Sequence, residues 1–140
     1  MIVLVVEDDE EKAQDLSRFV ARNFPAAVVQ IQRSFQSGLR AALEGVATIL
    51  LLDMTMRNFD RSMDEEGGRP HHFAGREILR RLAREDVHVP TIVVTNFDRF
   101  GEETEEVTLG ELQAELSEKF PDYLGTVHYR SNVDEWQGRL

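Results

Sequence analysis

The chain has 140 residues, enough for one domain with one sizeable core and too few for an output domain beside it. Its 16 Lys and Arg against 26 Asp and Glu leave a formal charge of −10, a field that repels phosphate backbones and anionic headgroups and argues against nucleic-acid and membrane partners. At 41% hydrophobic and 30% charged it is too apolar for disorder, its apolar runs are too short to span a bilayer, and the absence of cysteine removes disulfides and thiolate chemistry. Met1 runs directly into Ile2-Val3-Leu4-Val5-Val6 and then five consecutive acids, unlike a secretory signal, so a cytoplasmic location is expected.

Short apolar runs alternate with segments of helical period. Residues 2–6 read as a first strand, and Glu10 to Asn23 as a helix with a stripe of Ala13, Leu16, Phe19 and Val20. Residues 27–31 make a second strand, followed by a helix from Ser34 to Glu44 that stops at Gly45. Residues 47–52 make a third strand, and a helix over about 75–85 turns Ile78, Leu79 and Leu82 inward and Arg76, Arg80, Arg81 and Arg84 outward. Residues 91–95 are a fourth strand. The next helix opens on Thr108-x-x-Glu111, a capping-box pattern, and carries Leu112, Leu116 and Phe120. Residues 126–130 form a weaker fifth strand, and a short last helix follows, capped by Asn132 with Glu135 and plugged by Trp136. Strands that are apolar throughout are buried on both faces, so the order predicts an α/β fold with a doubly wound, five-stranded parallel sheet and helices on both faces.

Two connections exceed the usual handful of residues. Residues 54–74 and 96–107 both leave the carboxyl ends of strands, the rim where an open parallel sheet binds ligands. The first contains Asp64-Glu65-Glu66, the Gly67-Gly68 break and the cluster Arg69-Pro70-His71-His72-Phe73; the second contains an acidic run over 102–106. The longer loop is either a lid or docking loop over the rim or an excursion without a role. Adjacent histidines in a loop are poor evidence for a metal site without further ligands.

At the same rim the strand tips read Glu7-Asp8-Asp9, Asp53, Thr95 and Tyr129-Arg130-Ser131. An Asp directly after an apolar strand is most often a turn or helix cap. Here carboxylates arrive from separate central strands and would repel one another without a cation between them, so a hard divalent ion with oxygen ligands, magnesium, is the expected occupant.

In these residues and their order the chain resembles the receiver domains of two-component response regulators. Val-Val-Glu7-Asp8-Asp9 is similar to that family's acidic pair, Leu-Leu-Asp53-Met-Thr-Met to its phosphoacceptor strand, Val-Val-Thr95 to its hydroxyl-bearing fourth strand, and Gly75 to the glycine opening its third helix. The resemblance spans almost the whole chain. It implies a flavodoxin-like receiver fold over 1–140 and phosphorylation of Asp53 by a sensor histidine kinase, a phosphotransfer protein or a small phosphodonor. It further implies magnesium held by Asp8, Asp53 and the Thr55 carbonyl, with Glu7 acting through water, a Thr95 hydroxyl on the phosphoryl group, and output through an unidentified downstream protein.

The chain departs from the family in three places. The family carries a lysine at the tip of its fifth strand. Lys12 falls in the first helix and Lys119 in the fourth, so neither is expected to serve, and Arg130 is the nearest cation, with Tyr129 or Ser131 holding that position in other registers. The Met56-Arg57 step lacks the usual proline. The aromatic switch residue is Tyr129 in one register, with Val127 or Thr126 there in others. The leading reading is a stand-alone phosphoacceptor without turnover of an external substrate. The alternative is a degenerate receiver-like interaction module that signals without phosphorylation. A magnesium-dependent phosphohydrolase ranks lower, since Asp53-Met-Thr55 lacks a second acid two residues on, and DNA binding lower still.

Overall fold

The computed structural model describes residues 1–57, 73–96 and 107–129, with the backbone of 70, 71, 99 and 100. The Gly67-Gly68 break, both acidic loop runs, His72, Arg130, Ser131 and the final helix with Trp136 lie outside the described residues. Along the chain come β1 (Ile2–Val6), α1 (Glu10–Asn23), β2 (Val28–Gln32), α2 (Phe35–Leu43), β3 (Ile49–Leu52), β4 (Met56–Arg57), β5 (Pro70–His71) and α3 (Ala74–Arg84). Then follow β6 (Thr91–Thr95), β7 (Arg99–Phe100), β8 (Val107–Thr108), α4 (Leu109–Lys119) and β9 (Tyr123–His128).

Five of these strands form one parallel sheet in the order β2-β1-β3-β6-β9, the sheet the apolar runs predict. The chain runs outward from β1 to β2 and then returns across β1 to β3, so the winding reverses between β1 and β3. A crevice opens at the carboxyl ends of two such strands.

Alternate residues of each strand feed two cores. Val3, Val5, Leu51, Val94 and Val127 face α1 through Leu16 and Val20. Leu4, Val6, Leu50, Leu52 and Val93 face the other way, against Leu39 of α2, Ile78, Leu79 and Leu82 of α3, and Leu112 and Leu116 of α4. Burying each such side chain stabilises the fold by about 1.5–3 kcal/mol. Among the described helices, none is long and apolar enough to cross a membrane.

Helix ends follow the polar residues that flank them. Asp9 caps α1 through the Glu11 and Lys12 amides, Ser34 and Ser37 cap α2 reciprocally, and the Thr108 hydroxyl accepts from the Glu111 amide of α4. Gly45, at φ +71°, ends α2 in a left-handed turn.

Several features differ from the sequence reading, among them β3, which begins at Ile49 and not at residue 47. β2 begins one residue later, at Val28. β9 covers Tyr123–His128 rather than 126–130, because Leu124 bulges out between the Thr91–Tyr123 and Ile92–Gly125 pairs and breaks the alternation that marks a strand. The two long rim connections are not plain loops: β4 pairs antiparallel with β5, and β7 with β8, so each excursion is tied at its base by a short ladder.

Candidate functional site

The crevice between β1 and β3 is where the sheet brings its acids together. Val6 pairs with Leu52, so Glu7 and Asp53, each one residue further along, leave adjacent strands at the same level. One carboxylate oxygen each from Glu7, Asp8 and Asp53 lie within 4.8 Å of one another. Glu7 and Asp53 are buried, at 2% and 3% exposure, while Asp8 opens towards solvent.

Backbone amides and neighbouring helices fix these side chains. Glu7 Oε1 accepts from the Asp9 amide at 3.1 Å, and Asp53 Oδ1 from the Met54 amide at 2.7 Å. The turn after Asp53 is held by α3. The Gly75 amide donates to the Met54 carbonyl at 3.1 Å, and a Cβ on Gly75 would sit 2.5 Å from the Asp53 carbonyl oxygen. Glycine at that position is what lets the helix abut the strand tip.

Lys12 overturns one expectation from sequence. It is 1% exposed, and its Nζ lies 2.8 Å from Glu7 Oε2 and 3.3 Å from Asp53 Oδ1, so a lysine does enter the site, from α1 rather than from the fifth strand. Arg130, expected to be the nearest cation, lies outside the described residues, and Lys12 already pairs with Asp53. The physical reason is reach. α1 starts immediately after the acidic tip, Lys12 occupies its first turn on the inward face, and a four-carbon stem spans the gap. A signal for this was present: residues 12, 16 and 20 share one helical face, and Lys12 stands where the Leu16 and Val20 stripe calls for an apolar residue.

Other cations gather on Asp8. The Arg57 amide donates to Asp8 Oδ2 at 3.1 Å, its Nε lies 3.9 Å from the same oxygen, and Arg57 and Arg33 Nη2 each donate to the Asp8 carbonyl at 3.3 Å. Arg57, noted in sequence only for the proline it replaces, thereby ties β4 to the acidic tip. On the next strand Leu52 pairs with Val93, and Thr95, fully buried, ends β6 two residues further on. Thr55 lies in the turn between Asp53 and β4.

Tyr129 follows β9, with its amide on the Thr95 carbonyl at 2.8 Å. It is buried, its hydroxyl donates to Asp15 of α1, and its ring lies under Lys12 with Nζ 5.8 Å from the centroid. Of the three positions open for an aromatic, the ring therefore stands at the sheet's carboxyl edge and packs inward. Thr126 instead pairs with Val93, and Val127 is core.

Burial pushes the Glu7 carboxyl well above its ordinary range; the Lys12 ammonium opposes this and Asp53 reinforces it. Asp8 is also raised by burial, against the Arg57 amide. Lys12 is held above its ordinary value because Asp53 and Glu7 outweigh its desolvation. The donor set fits a hard dication: all three side chains offer carboxylate oxygen, and one oxygen from each lies within 4.8 Å of the others.

No family model matches the chain. Among proteins similar to it, y4jR of Sinorhizobium fredii, described as uncharacterised, is 33% identical over 98% of this chain and 92% of its own length. The Detocs response regulatory protein DtcB of Enterobacter cloacae is 28% identical over 100% of this chain and 95% of its own. Of solved structures, the response regulator TrrA from Thermotoga maritima in complex with Mg2+-BeF matches at a TM-score of 0.61, with 14% identity over 99% of this chain and 94% of that one. The same fold recurs in a receiver protein from Methanoculleus marisnigri and in chemotaxis protein CheY4 from Vibrio cholerae. The five-stranded parallel sheet with its four helices is the fold of response regulator receiver domains, and the chain is similar over its whole length to a response regulatory protein.

Proposed function

We propose that the chain is a phosphoacceptor of a two-component phosphorelay, working in the cytoplasm and signalling through contact with another protein. One observation carries the reading: Glu7, Asp8 and Asp53 converge within 4.8 Å at the switch point of a receiver sheet, with Asp53 at the strand tip. An Asp53 oxygen forms a bond to phosphorus as the donor's bond breaks. A phosphohistidine on a sensor kinase or phosphotransfer protein loses its P–N bond, and a small acyl phosphate loses its P–O bond; the electron pair leaves on the donor and Asp53 becomes an acyl phosphate.

Glu7, Asp8 and Asp53, with the Thr55 carbonyl, are the groups that would hold Mg2+. Bound there, the ion supplies positive charge that offsets the charge of the transferring phosphoryl group. The Thr95 hydroxyl hydrogen-bonds a phosphoryl oxygen and moves inward with it. The chain modifies its own side chain and turns over no external substrate. Incubation with acetyl phosphate and Mg2+ followed by intact mass tests this: one phosphoryl addition is expected, and none in Asp53→Asn. No gain, or a gain retained in Asp53→Asn, refutes it.

A second reading has one observation in its favour. The Lys12 ammonium already compensates Glu7 and Asp53, so the crevice is partly neutralised without metal. A receiver-like module that binds its partner in that self-compensated state needs no phosphorylation. It predicts no mass gain, and partner binding that survives Asp53→Asn.

A further inference from the structure

Lys12 is costly where it stands. An ammonium in the first turn of a helix opposes the positive end of the helix dipole, and taking it to 1% exposure carries a desolvation penalty. Packing alone favours an apolar side chain on the stripe of Leu16 and Val20. The position keeps a cation all the same, with its Nζ between Glu7 Oε2 at 2.8 Å and Asp53 Oδ1 at 3.3 Å and with the Tyr129 ring beneath. The described contacts of Arg33 and Arg57 go to Asp8 instead.

Resting on the phosphoacceptor reading, we propose that Lys12 is the catalytic cation of transfer to Asp53, delivered from α1. Before reaction its ammonium holds Glu7 and Asp53 together against their repulsion. As the bond from Asp53 to phosphorus forms and the donor's bond breaks, an N–H of Lys12 passes from Asp53 Oδ1 to a phosphoryl oxygen, while another stays on Glu7. An ammonium suits this exchange: its three donors rotate freely on a flexible stem, whereas a guanidinium fork fixes its directions. A purely structural counter-ion would lack this exchange. It would matter for stability and leave the transfer rate alone once the charge around it was balanced.

The chain's lysine count makes the test direct, since Lys12 and Lys119 are its only lysines and Lys119 is a largely exposed residue of α4. Protein labelled with 13C on lysine is observed by NMR with Mg2+ alone and then with Mg2+ and beryllofluoride, a phosphoryl mimic whose binding is followed separately by fluorine NMR. The Lys12 side-chain signal is expected to shift on beryllofluoride binding while the Lys119 signal stays. Bound beryllofluoride with an unmoved Lys12 signal overturns the proposal.

A second arm reads rate. Glu7→Gln is compared with Glu7→Gln/Lys12→Met under acetyl phosphate and saturating Mg2+, with circular dichroism melts on both. The double variant removes the buried carboxylate together with its partner, so no unpaired charge is left from that pair. At least tenfold slower mass gain is expected in the double variant at a comparable melting temperature, and equal rates overturn the proposal. If wild-type protein neither binds beryllofluoride nor gains mass, the phosphoacceptor reading falls and takes this one with it. If wild type gains mass and Lys12 proves inert, only this one falls.

Discussion

The two ends of the sheet handle charge in opposite ways. At the carboxyl end, Glu7, Lys12 and Asp53 are at most 3% exposed, and Lys12 Nζ holds Glu7 at 2.8 Å and Asp53 at 3.3 Å. At the amino end, His88 bridges Asp86 at 2.9 Å and Asp122 at 3.0 Å, but its side chain is 64% exposed and that of Asp86 90%. The distances are alike and the consequences are not, because water screens the second set and is excluded from the first. Below the His88 bridge, Leu79, Leu82, Val87, Val89 and Phe120 line a largely apolar hollow. Buried charge clusters of this kind concentrate at functional sites.

Removing Lys12 gives the largest expected effect. Lys12→Met leaves Glu7 and Asp53 buried without their cation, and a loss of about 3–5 kcal/mol of stability is expected in chelator, as for other broken buried pairs. Chemical denaturation reads it, and Mg2+ is expected to restore much of the loss by supplying charge to the same carboxylates. Equal stability of the variant and wild type in chelator would dissolve the contrast between the two ends. Asp53→Asn is expected to act in the opposite sense: it removes one of the repelling carboxylates and leaves Lys12 paired with Glu7, so its melting temperature without metal rises above wild type.

The next effect comes from backbone approach. Gly75→Ala places a Cβ 2.5 Å from the Asp53 carbonyl oxygen and 3.1 Å from Met54, so α3 or the strand tip must shift. A loss of about 1–3 kcal/mol is expected, the range for overpacking, with a drop in phosphoryl uptake larger than the stability loss explains. Uptake that tracks stability alone would mean that the turn does not position Asp53.

The smallest effect belongs to the amino end. Hydrogen bonds donated to Asp122 and then Asp86 raise His88 above its ordinary value of 6.5. Folding therefore binds a proton more tightly, and the stabilisation is fully present below pH 6.5 and lost as pH rises through the raised value. Melting curves of wild type and His88→Ala are expected to separate slightly below pH 6.5, to converge above the raised value, and to separate less in high salt. A large, salt-insensitive gap would contradict the screening argument.

Much of this was legible beforehand, for physical reasons that differ by residue. Runs such as Ile2–Val6 and Thr91–Thr95 are buried on both faces and announce themselves by composition, and Asp9, Ser34 and Thr108 stand where helices need caps. Glu7, Asp8 and Asp53 could be grouped because parallel strands place their carboxyl ends together. Three features escaped. β9 was misplaced by the Leu124 bulge, a tertiary adjustment that periodicity does not record. The β4–β5 and β7–β8 ladders are too short to leave a pattern. Lys12 falls in the first helix and not at the tip of the fifth strand, and its burial depends on partners from β1 and β3 that a reading of α1 alone does not contain.

The central claim is that Asp53 is the residue that carries the phosphoryl group. It is tested most directly by treating the protein with acetyl phosphate and Mg2+, reducing the product with borohydride, which converts an aspartyl phosphate to homoserine, and sequencing the peptides by mass. The account predicts homoserine at position 53, and at no other aspartate, in wild type and none in Asp53→Asn. Homoserine at Asp8 or Asp9, or its absence from a protein that binds Mg2+, would contradict it.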